Sequence, residues 1–163
     1  MSISKNQILL GLLRISMGWI FLWSFLDKTF GLGFSTTADK SWLAGASPTT
    51  GFLQGGTKGP FVEIFHSLAG SPVVDWLYML GMLLIGLALI LGMGVKIAGY
   101  SGSLLMFFIW TALLLPKTNP FMDQHIIYIL ILIGFTLENT GHWLGFGKWW
   151  SQTALVKKFP FLE

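Results

Sequence analysis

The chain has 163 residues, 53% of them hydrophobic and 10% charged, with a net charge of +3 and a mean hydropathy of +0.69. Typical globular chains carry roughly 25% charged residues, so this balance excludes an ordinary soluble domain and points to one compact integral membrane unit. Cysteine is absent, which excludes thiol–disulfide relays, Cys-ligated iron–sulfur clusters, Cys-zinc sites, CxxCH haem attachment and quinone reductases that work through cysteine pairs.

The fold class this predicts is an all-α, polytopic four-helix membrane bundle. Its first span runs from Ile8 to Lys28, about the 20 apolar residues a bilayer requires. Within it Gly11, Arg14, Gly18, Phe21, Phe25 and Lys28 recur at intervals of 3, 4, 3, 4 and 3, a heptad seam that turns all six one way. Glycines let a second helix approach, and a membrane-buried arginine faces protein or a water-filled cavity rather than lipid. The seam is therefore the expected inner face of the bundle. The apolar run is interrupted by Arg14 and lacks a small-residue cleavage site, so it reads as a retained span and not as a signal peptide.

A long connection over 30–71 follows, rich in Gly, Ser and Thr but holding Trp42, Phe52, Phe61 and Phe65. Ser47-Pro48 and Gly59-Pro60 each look like the opening of a short helix, too short to span and expected at the membrane surface. Further spans are predicted over 73–91, 97–115 and 121–137, the third ending at Pro116. An interfacial tail over 140–163 mixes Trp, Phe and Lys.

Four spans put both termini on one side. Lys5, Arg14, Lys96, Lys148, Lys157 and Lys158 lie there, against Lys28, Lys40, Lys58 and Lys117 on the other. The bias of positive residues places the termini in the cytoplasm and the long loop outside, in the cytoplasmic membrane. The lysines are thus a topology signal, and no nucleic-acid partner is expected.

The candidate chemistry falls at both ends of the bundle. Arg14 requires a partner, and Glu138, ending the fourth span on a stripe with Gln124, Ile131 and Gly134, is the expected one. Two readings stand: an ion pair that fixes helix register, or a charged lining for an anionic or quinoid ligand. At the outer end Asp27, Lys28, Lys117, Asp123 and His125 gather, with Trp23, Trp42, Trp110 and His66 at similar depth. His125 could exchange a proton with a quinol, while Lys28 and Lys117 could hold an anion at the mouth. The bland alternative is snorkelling lysines and an aromatic belt. His66, His125 and His142 lie on separate segments without ligand spacing, so no metal site is expected. GLGF and GFGKWW follow no strand and are not dinucleotide loops.

Three stretches together resemble the DoxX/DoxD family of small four-helix membrane proteins: LLRISMGWIFLWSFLDK, SWLAGASPTTGFL, and DQHIIYILILIGF followed by GFGKWW. The first is similar to the family's Arg-x3-Gly-x2-Phe-x3-Gly-x2-Lys helix, with Phe25 where the family often has a small residue. The tryptophan-containing loop points toward the DoxD branch, the membrane subunit of thiosulfate:quinone oxidoreductase. The resemblance implies electrons passed from thiosulfate to membrane quinone, with quinone as substrate; the sequence itself shows no haem, flavin or metal motif, and none is expected in this chain. It also implies a second small subunit of the DoxA kind. On this reading Arg14 and His125 are the catalytic candidates, with Arg14, Lys28, Trp110, Lys117, His125 and Glu138 binding the quinone or substrate. The alternative is a non-catalytic accessory subunit docked in a larger respiratory complex, and a homo-oligomer is compatible with either.

Overall fold

A computed structural model describes residues 3–116 and 119–163, which are helical with irregular connections and, among the described residues, contain no strand. The first helix, α1, covers Lys5–Phe30. It is opened by a reciprocal cap in which the Ser4 hydroxyl accepts from the Gln7 N–H (3.3 Å) and the Gln7 side chain accepts from the Ser4 N–H (2.9 Å). It closes at Gly31, whose φ of 66° suits the left-handed C-cap. A β-carbon there would collide with Ala38 and the Thr37 carbonyl, so glycine is required twice over.

Two short helices, α2 (Thr50–Gly55) and α3 (Val62–Leu68), follow in the long connection. Helix α2 opens two residues later than Ser47-Pro48 suggests, with Thr49 at the N-cap, although the Ser47 hydroxyl accepts from the Thr50 N–H at 3.1 Å. The connection is tied down by polar contacts. Asp27 accepts from the N–H groups of Phe34 and Ser35 and from the Ser35 hydroxyl. Asp75 accepts from Ser47 and Thr49, and the Lys58 N–H reaches the Ala112 carbonyl.

Then come α4 (Pro72–Leu91), α5 (Val95–Ala112) and α6 (Gln124–Leu137). Helices α1, α4 and α5 are long and apolar enough to cross a membrane. Helix α5 ends three residues before the expected 115, because the residue ahead of Pro116 is disfavoured in helix and the loop's Lys58 takes the last carbonyl. Helix α6 starts at 124 and not 121, since Asp123 caps it. Its 14 residues rise about 21 Å, short of a hydrocarbon core of about 30 Å.

Helix α1 packs along α4, and α5 along α6; α4 and α5 join the pairs, while α1 and α6 touch sparsely. Each pair is brought close by glycine. A β-carbon on Gly18 would lie 2.9 Å from the Gly86 carbonyl, one on Gly86 2.7 Å from the Leu22 nitrogen, and one on Gly99 2.8 Å from the Leu132 carbonyl. Met17, Phe21, Ile85, Leu89, Leu132 and Phe135 fill the centre. Gly134, expected on an inward stripe, meets nothing within 4 Å.

The tail folds into α7 (Gly147–Ser151) and α8 (Ala154–Lys158) and closes over the α4–α5 turn. The Phe146 N–H donates to the Leu91 carbonyl, the Trp150 indole to the Leu162 carbonyl at 2.7 Å. Glu163 meets both Lys96 and His142 at 3.0 Å. The hydrogen bond from Lys96 holds the Glu163 carboxyl below its ordinary range, with His142 adding to the effect.

Candidate functional site

Between the four long helices lies a cavity of about 240 Å³. Its floor is apolar: Phe21 from α1, Met82 from α4, and Met106 and Ile109 from α5. Its polar groups come from Ser24 on α1, Tyr78 on α4, and Gln124, His125 and Tyr128 on α6. Helical spacing explains the selection. Ser24 follows Phe21 by one turn, Met82 follows Tyr78, and Tyr128 follows Gln124, so each helix presents one stripe to the same space. Pockets for drug-sized ligands occupy about 300–1,000 Å³; this one suits a single small ring.

His125 is the most constrained polar group of the wall, 9% exposed. Asp123 accepts from its backbone N–H at 2.9 Å and lies 2.7 Å from its ring Nδ1. A carboxylate on Nδ1 selects the tautomer with the proton on that nitrogen and leaves the Nε2 lone pair free to take a proton. The Tyr128 ring stands edge-on, 6.5 Å away between centroids.

Arg14 is elsewhere. It is 0% exposed and its guanidinium donates to the carbonyls of Leu89 and Ile90, at the end of α4, and of Trp143 and Leu144, in the tail. Leu89 and Ile90 sit in the last turn of α4, where a helix presents unpaired carbonyls and a partial negative charge. The expected pair with Glu138 does not form: Glu138 is exposed and makes no ion pair among the described residues. Glycines crowd the guanidinium instead, since a β-carbon on Gly92 or Gly145 would lie 2.8 or 2.9 Å from its nitrogens. Arg14 does not line the cavity, and its charge serves the docking of the tail.

The other candidates separate likewise. Trp110 lies outside the wall and donates its indole N–H to the Phe121 carbonyl at 2.7 Å, bracing the chain ahead of α6. Lys28 is half-buried on the α1 seam, seven residues or about 10 Å beyond Phe21, and does not line the cavity. Lys117 lies outside the described residues. Among the described residues no group of three or more His, Asp or Glu side chains converges as a metal site would require.

Ser24, Tyr78 and Tyr128 went unmarked in the sequence because nothing local sets a serine or tyrosine facing a cavity apart from one facing lipid. The chain matches no protein-family model, no curated protein and no solved structure.

Proposed function

We propose that this chain is a multi-pass protein of the cytoplasmic membrane, with four crossings and both termini inside, that binds the head of a membrane quinone in the four-helix cavity. On this reading it is the DoxD-type membrane subunit of a thiosulfate:quinone oxidoreductase. The fourth crossing is α6 together with the segment ahead of it, in which Asn119 accepts from the N–H groups of Phe121 and Met122.

The observation that carries the reading is the Asp123–His125 pair on the wall of a one-ring cavity with an apolar floor. Reduction of a quinone consumes two electrons and two protons. Oxidation of two thiosulfates to tetrathionate forms one S–S bond and releases two electrons. His125 exchanges protons at the quinone oxygen through Nε2, with Asp123 holding the ring and balancing the imidazolium charge. A second subunit of the DoxA kind handles the sulfur chemistry.

The test is purification from native membranes in mild detergent, followed by quinone extraction and an assay of thiosulfate-dependent quinone reduction. Co-purified quinone, and turnover that fails in His125→Gln, support the proposal. A chain that carries no quinone and travels stoichiometrically with a large respiratory complex is an accessory subunit instead.

A further inference from the structure

Resting on the quinone reading, we infer that the ligand's hydrocarbon tail leaves the cavity sideways, through the seam between α1 and α6, so that the site takes a lipid-dissolved, long-tailed quinone directly from the bilayer. Three observations converge on this seam. Helices α1 and α6 touch sparsely, whereas α1 with α4 and α5 with α6 pack closely. The wall residues at the seam are themselves exposed: Ile20 on α1 is 43% exposed and Gln124 on α6 is exposed. Across the cavity Met82 and Met106 are only 4% and 6% exposed. Finally, the hydrogen bonds that tie the long connection to the long helices go to α1, α4 and α5, and among the described residues none goes to α6.

The depth suits a tail. Ile20 lies about 22 Å along α1 from its first residue, well inside the apolar part of the helix. The far end of the seam is shut, because Arg14 binds the Trp143 and Leu144 carbonyls there. A tail that emerges between Ile20 and Gln124 is set to pass Ile127, which follows Gln124 by about one turn of α6, is 44% exposed and lies outside the cavity wall, and to enter lipid. A polar head in the cavity with an alkyl chain in the seam buries each part in matching surroundings.

The absence of cysteine makes the test clean. Single-cysteine variants Ile127→Cys, at the seam, and Leu84→Cys, on the exposed face of α4, are reconstituted in lipid nanodiscs and labelled with a membrane-permeant maleimide. The probes are a fully ring-substituted benzoquinone, with no free ring position for thiol addition, that bears a long alkyl tail, and the same head bearing a methyl group instead. The expected result is that the long-tailed quinone slows labelling of Ile127→Cys about tenfold and leaves Leu84→Cys unchanged, while the short one protects neither. If the long-tailed quinone binds but leaves Ile127→Cys as reactive as before, or if both quinones protect it equally, the lateral route is overturned and the quinone reading survives. If neither quinone binds the unsubstituted protein, both fall.

Discussion

Both carboxylate oxygens of Asp123 bind one residue, His125: one takes its backbone N–H at 2.9 Å and the other meets its ring Nδ1 at 2.7 Å. A single side chain thus starts α6 and orients the histidine of the cavity wall, which couples the geometry of the helix end to the protonation chemistry of the ring.

That double role can be split. Asparagine caps helices as well as aspartate does, so Asp123→Asn should leave thermal stability nearly unchanged. Its amide, however, can donate to Nδ1 and favour the tautomer protonated on Nε2, which cannot accept a proton there. Quinone-linked turnover should fall at least about tenfold, and His125→Gln should lower it by about 10²–10⁴-fold. Nitrogen NMR of the imidazole reads the tautomer directly. An unchanged tautomer and unchanged turnover would remove Asp123 from the mechanism.

Arg14→Leu should destabilise the fold strongly, by about 3–5 kcal/mol, because it leaves several buried carbonyls without a donor. Lysine should not rescue it, because one ammonium group cannot replace a planar fork aimed at two separate pairs of carbonyls. Whatever folded Arg14→Leu survives should bind quinone normally, since Arg14 lies outside the cavity wall. Melting in detergent and a quinone titration measure the two effects separately. A stable variant that has lost binding would restore Arg14 to the site.

Glycine substitutions should sort by neighbour. Gly99→Ala would place a β-carbon 2.2 Å from Thr136 Cγ2 and 2.8 Å from the Leu132 carbonyl, forcing α5 from α6 at a cost of about 1–3 kcal/mol. Gly81→Ala and Gly134→Ala meet nothing within 4 Å and should be neutral or slightly stabilising through helix propensity. Thermal melts of the three variants check the order.

The tail contact should respond to acid. The folded-state value of Glu163 lies below the ordinary 4.5, so its stabilising contribution is present above the unfolded-state value and is lost as pH falls through the lowered one. Trp150 fluorescence and protease sensitivity of the tail should therefore change below about pH 4.5. Glu163→Gln should loosen the tail at neutral pH and remove that acid step.

What could be read from the chain was whatever repeats along a helix. The spacing from Gly11 to Lys28 marked the inner seam of α1, of which Gly11, Arg14, Gly18 and Phe21 are buried. Apolar runs placed the long helices to within a few residues. The partner of Arg14 was illegible, because its acceptors are backbone carbonyls that every residue owns and that only the folding of the tail selects. Glu138 matched in charge and side, yet it points away. The Asp123–His125 contact was hidden for another reason. Residues two apart do not share a helix face, and they meet only because Asp123 stands outside α6 in an extended conformation.

The nest around Arg14 also imposes an order on biogenesis. Two of its carbonyl acceptors belong to Leu89 and Ile90, and two to Trp143 and Leu144, so the first helix leaves the ribosome long before the last partners of its arginine exist. Until then Trp143 and Leu144 offer the guanidinium no carbonyl, and its remaining N–H groups are left to water or other polar groups. A nascent chain interrupted before Trp143 offers Arg14 only the Leu89 and Ile90 carbonyls, half of its acceptors. Completion of the tail thus completes the acceptor set of an arginine at the opposite end of the chain.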